Sequence, residues 1–137
     1  MAEIFADTSG WAHLLDSSEP FHHQAAAIYR QARDNGDKFI TTSYVLLELI
    51  SLLTSPMNIP RASALNFIKR LAHTPTVEVL HINAALDQRA WDLLAQRQDK
   101  LWSLTDAAAF IVMADRNIFT AYTSDHHFEQ AGFIRLL

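Results

Sequence analysis

A chain of 137 residues that is half hydrophobic and 19% charged carries enough apolar surface for one full core, which argues against disorder and predicts a single domain over residues 1–137. It has no cysteine, so a disulfide framework and a thiolate zinc site are excluded. A net charge of −4 with only 11 Lys plus Arg gives no sign of a generic electrostatic grip on nucleic acid.

The opening Met-Ala-Glu-Ile-Phe-Ala-Asp has no basic stretch ahead of an apolar core, so no signal peptide is expected. Glu3 to Asp7 reads as a short strand, and Thr8-Ser9-Gly10 turns it into a helix ending near Asp16. Ser17-Ser18-Glu19-Pro20 breaks that helix, and Pro20 suits the first turn of the next. Ala25, Ile28, Tyr29 and Ala32 recur at helical spacing up to a stop at Gly36.

Lys38 to Thr41 is a second strand, and Ser43 is placed to cap a helix from Tyr44 to Thr54. The prolines at 56 and 60 break the chain before a helix from Arg61 to Ala72, with Leu65, Ile68 and Leu71 on one face. Thr76 to Ile82 alternates as a strand, and Ala84 to Gln96 is helical, followed by a polar loop from Arg97 to Lys100. Leu104 to Asp115 is a sixth helix and Ile118 to Tyr122 a fourth strand. A short helix near His127 to Ala131 ends at Gly132, and Phe133 to Leu137 closes as an edge strand. Alternating strands and helices predict an α/β fold, a mostly parallel sheet of four to five strands covered on both faces. No apolar run spans a membrane, because Glu48 interrupts the best one, Tyr44 to Leu53. A cytoplasmic location is compatible with all of this.

Four acids stand where acids are least expected. Asp7 ends the first strand and either caps the helix after it or presents an oxygen to a cation. Glu48 sits in a helix apolar on nearly every side, which predicts burial and a cost of several kcal/mol unless an Arg or an ion partners it. Asp106 completes a capping box with Ser103, the stronger reading on local grounds. Asp125 is an equally good N-cap of the last helix. Thr8, Ser9, Thr105, Thr123 and Ser124 offer hydroxyls beside them.

The seven histidines, including the pairs His22-His23 and His126-His127, read as surface or packing residues, since helical neighbours do not face one another. His126 and His127 are the exceptions to watch, as they adjoin Asp125. If the fold gathers the four acids, their oxygens select Mg²⁺ or Mn²⁺, and the chemistry indicated is metal-assisted hydrolysis of a phosphodiester. Arg61, Lys69, Arg70 and Lys100 are the cations best placed to steer an RNA.

Phe5-Ala6-Asp7-Thr8-Ser9, the helix with Glu48, Trp102-Ser103-Leu104-Thr105-Asp106-Ala107 and Thr123-Ser124-Asp125-His126-His127-Phe128 occur in one order along the whole chain. In that order they resemble a PIN domain of the VapC toxin type. The resemblance implies a three-layer α/β/α sandwich and a Mg²⁺- or Mn²⁺-dependent endoribonuclease. It also implies an RNA substrate, a homodimer and a small antitoxin partner. On this resemblance Asp7, Glu48, Asp106 and Asp125 match the catalytic, metal-binding quartet, with Thr8 or Ser9, Thr105 and Thr123 supporting it. A receiver domain would need an acidic neighbour for Asp7 and a late lysine, and a haloacid-dehalogenase-type phosphatase an Asp where Ser9 stands. The remaining rival is a PIN-like module that binds RNA or protein without cutting.

Overall fold

The computed structural model describes residues 2–137. Its sheet has five strands: β1 (Glu3–Ala6), β2 (Lys38–Thr42), β3 (Val77–Leu80), β4 (Thr120–Tyr122) and β5 (Ile134–Arg135). They lie in the order β3-β2-β1-β4-β5, and every pairing is parallel. The helices are α1 (Thr8–Leu15), α2 (His22–Asp34), α3 (Ser43–Thr54), α4 (Arg61–Ala72), α5 (Ala84–Gln96), α6 (Leu104–Arg116) and α7 (His127–Gln130). The strands step one way from β1 to β3 and the other way from β3 to β5. With right-handed crossovers, α1 to α4 therefore cover one face and α5 to α7 the other.

The strand residues sort by face accordingly. Phe39 and Tyr122 point toward α1, where Trp11 packs against both with ring centroids 5.6 and 5.8 Å away. Phe5, one residue out of step, points to the opposite face and meets Phe128, which packs edge-on to Phe110 of α6. Trp11, Phe5, Phe39, Tyr122 and Phe128 are fully buried, and they anchor the two layers. At the amino ends of the strands, Arg116 of α6 clamps Glu3 of β1 and Glu78 of β3 at 2.7 and 2.9 Å.

Gly10 lets α1 press close against the end of β4. A Cβ there would stand 2.1 Å from the Tyr122 carbonyl oxygen, so only glycine fits. This close approach fixes the entrance of α1 beside the carboxyl ends of β1 and β4.

Three local expectations are corrected. Thr42, not Ser43, caps α3: its hydroxyl accepts from the Val45 N–H, while Ser43 accepts from Ile82 N–H across the sheet end. Leu65 does not share the buried face of α4; it is half exposed, and Ala64 and Leu71 fill that role. Helix α3 is not buried all round. Only Val45, Leu49 and Leu53 form its buried stripe, while Leu47 is 67% exposed and Glu48 is exposed beside it. The helix is apolar on two sides but packed on one, so no desolvation cost forces a partner on Glu48.

Candidate metal centre

Sheet order reverses between β1 and β4, and in sheets of this kind ligands bind outside the carboxyl ends of the strands at such a reversal. Asp7 follows the carboxyl end of β1 there, and Thr123 to Asp125 follow β4. The Asp7 N–H continues the pairing by donating to the Tyr122 carbonyl at 3.2 Å. The side chain of Asp7 is 3% exposed and makes no capping bond to α1, against one of the two expected roles. Its Oδ2 accepts from the Thr123 hydroxyl at 3.0 Å, and its Oδ1 is buried with no partner. The neighbouring Thr8 hydroxyl is buried without a partner as well.

The loop after β4 is pinned by hydroxyls. Ser9 lies 2.9 Å from Thr123 Oγ1 and accepts the Ser124 N–H, while Thr123 accepts the Asp125 N–H. Ser124 is held from behind by His13 Nε2 at 3.0 Å. His13 is a buried contributor that no spacing in the sequence singles out. Thr105 is half-buried and has no hydrogen bond to any of the four acids among the described residues.

Asp106 takes both of its expected roles at once. Ser103 and Asp106 form the complete capping box of α6, and Asp106 Oδ2 also lies 3.2 Å from His127 Nδ1. Asp125 accepts the His127 N–H at 2.9 Å, and the same His127 Nδ1 is 3.3 Å from its Oδ1. His127 Nδ1 therefore reaches both carboxylates and links the start of α6 to the start of α7.

The charges of these residues act on one another. Burial pushes Asp7 from its ordinary 3.8 up to about 7, partly offset by the Thr8 amide, while Asp106 and Glu48 push it further up. Burial raises Asp106 too; the Ser103 amide and His127 oppose this, and Asp125 and Glu48 add to it. Glu48 therefore belongs to the same field, although it is exposed. Its only expected alternative, an arginine partner, is not found among the described residues. No Lys or Arg of the described residues pairs with any of the four acids.

The acids are close enough to repel but do not collapse onto one point. The one described trio of acidic or histidine side chains whose ligand atoms lie within 4.8 Å of each other is Asp125, His126 and His127. His126 and His127 are the two histidines that the sequence sets apart by their adjacency to Asp125.

The donors suit a hard divalent cation: a carboxylate oxygen with no partner, a field of negative charge and no fixed countercharge. A wider spacing of carboxylates fits an ion that keeps several waters and takes few protein ligands directly.

Residues 4–134 match the PIN domain family. Over 133 residues, 97% of each chain, the protein is 31% identical to the 23S rRNA-specific endonuclease VapC20 of Mycobacterium tuberculosis, in two strains. Its fold superposes on the crystal structure of Mycobacterium tuberculosis VapC20, described as a sarcin-ricin loop cleaving toxin, with a TM-score of 0.84. That match is at 29% identity and covers 96% of each chain. With the strand order and the carboxylates beyond the ends of β1 and β4, these likenesses place the chain in the PIN domain family.

Proposed function

We propose that the protein is a metal-dependent endoribonuclease, the toxin of a toxin–antitoxin pair acting in the cytoplasm, with Asp7, Glu48, Asp106 and Asp125 as its metal-binding and catalytic residues. The observation that carries this is the unpartnered, buried Oδ1 of Asp7 among three further acids that no Lys or Arg neutralises among the described residues. Oxygen donors of this kind select Mg²⁺ or Mn²⁺. Bound there, such an ion supplies a water of lowered pKa as the nucleophile and offsets charge on the phosphodiester.

The chain's own residues do the positioning. Thr123 holds Asp7 Oδ2 and leaves Oδ1 free for a ligand. The Ser103 amide and His127 aim Asp106, and His127 with its own amide aims Asp125. Glu48 contributes negative charge from α3 at the open side. The acids repel a bare polyanion, so cation binding and RNA binding reinforce each other. Arg61, Lys69 and Arg70 are exposed and Lys100 half-buried, none with a carboxylate partner among the described residues, and they supply the remaining attraction.

Because a close relative is named for 23S rRNA, a stem-loop of large-subunit ribosomal RNA is the first substrate to try. A small antitoxin and a second copy of the chain are the partners this reading carries. The wild type with Mn²⁺ is expected to cut such an RNA, and EDTA to stop it. Asp106→Asn keeps the size of the side chain and is expected to slow cleavage by about 10²-fold or more. Equal cleavage by wild type and variant, in matched buffers, assigns the activity to a contaminant and leaves a non-cutting binding module.

A further inference from the structure

Asp125, His126 and His127 differ in chemistry from the other acids: they offer two imidazoles and one carboxylate. We propose that they form a second cation site for a borderline, nitrogen-preferring divalent ion of the zinc type, and that filling it switches the centre off. The first half stands on geometry alone. The second rests on the nuclease reading above.

A tetrahedral zinc ion with bonds of about 2.0–2.1 Å holds its ligand atoms about 3.3 Å apart. His127 Nδ1 lies 3.3 Å from Asp125 Oδ1 and His126 Nδ1 lies 3.7 Å from the same oxygen. The two rings are tilted with centroids 4.5 Å apart, and all three ligand atoms fall within 4.8 Å of one another. The His126 side chain is 66% exposed, so a small rotation closes the set at little cost. His126 is the exposed member of the three, so the set lies at the protein surface. Three protein ligands and one open position are what an exchangeable zinc site needs.

Ligand type separates this site from its neighbour. Imidazole nitrogens favour zinc, copper and nickel over manganese and magnesium, whereas oxygen sites favour the latter pair. The two sites also compete for the same atoms. His127 Nδ1 is the nitrogen that reaches Asp106 Oδ2 at 3.2 Å, and Asp125 is one of the four acids. A zinc ion on Nδ1 takes that nitrogen from Asp106 and takes Asp125 from the shared field.

The test uses the untagged full chain and Zn²⁺ alone, titrated against a fluorescent zinc indicator without RNA. One equivalent is expected to bind, and His126→Ala to weaken it by roughly tenfold or more, since loss of even an outer-shell partner costs that much. His126 is exposed and outside the proposed machinery, so His126→Ala is expected to keep Mn²⁺-supported cleavage. Micromolar zinc is expected to inhibit the wild type in excess Mn²⁺ and to spare His126→Ala. Zinc binding unchanged by His126→Ala overturns the site. Weakened binding with unchanged inhibition overturns the switch. A chain that binds zinc through His126 yet cuts no RNA sinks the nuclease reading and leaves the site standing.

Discussion

Asp7→Asn is expected to melt at a higher temperature than the wild type in metal-free buffer at pH 8, and the difference is expected to close as the pH is taken below 3.8. The sign follows from the raised pKa. Below 3.8 Asp7 is neutral in both folded and unfolded chains and costs nothing. Between 3.8 and about 7 the unfolded chain ionises and the folded one does not, so stability falls as pH rises. Above about 7 the full cost is present. The gap between 3.8 and about 7 corresponds to about 4 kcal/mol, enough to move the melting temperature by many degrees in a domain of this size. Asn is nearly isosteric and carries no charge, so it escapes the whole cost. The same change removes a proposed cation ligand, so Mn²⁺ is expected to stabilise the wild type and not the variant. A stability difference that does not vary with pH contradicts the assignment of Asp7 as a buried, repelled carboxyl.

The second large effect is expected at His127, and the expected order of three variants identifies the atom involved. His127→Ala removes the donor between Asp106 and Asp125 and is expected to raise the Mn²⁺ concentration for half-maximal cleavage by about 10–100-fold. Asn places its amide nitrogen close to the position of Nδ1, so His127→Asn is expected to recover most of the loss. Gln places its nitrogen nearer Nε2, so His127→Gln is expected to behave like Ala. A purely structural role would follow side-chain volume instead, with Gln the mildest of the three. Direct Mn²⁺ binding without RNA reads the same order independently of turnover. Equal metal demand in all four proteins removes His127 from the centre.

The elements were legible because each is bounded by residues with a local physical reason. Gly36 takes a φ of 76° where the second helix stops, and Gly132 a φ of 95° before the last strand. The alternation of strands and helices implied a parallel sheet, and all four pairings are parallel. What failed depends on tertiary contact. Thr42 and Ser43 are both good caps, and only the end of β2 decides which one is used. Composition marked the Glu48 helix as buried, but its packing covers one side, so the burial argument for Glu48 was wrong although Glu48 does act on Asp7 and Asp106. His126 and His127 stood out among the seven histidines only by their adjacency to Asp125; their approach to its carboxylate depends on side-chain placement that spacing does not give. His13 carries no sequence signal at all; its contact with Ser124 spans 111 positions.

The measurement that bears most directly on the proposed cation-binding centre is anomalous diffraction at the manganese edge from crystals soaked in Mn²⁺. The account predicts a peak beyond the carboxyl ends of β1 and β4, with Asp7 Oδ1 at about 2.0–2.5 Å and Asp106 and Asp125 joining directly or through water. A saturated soak with no manganese within reach of Asp7 would contradict it.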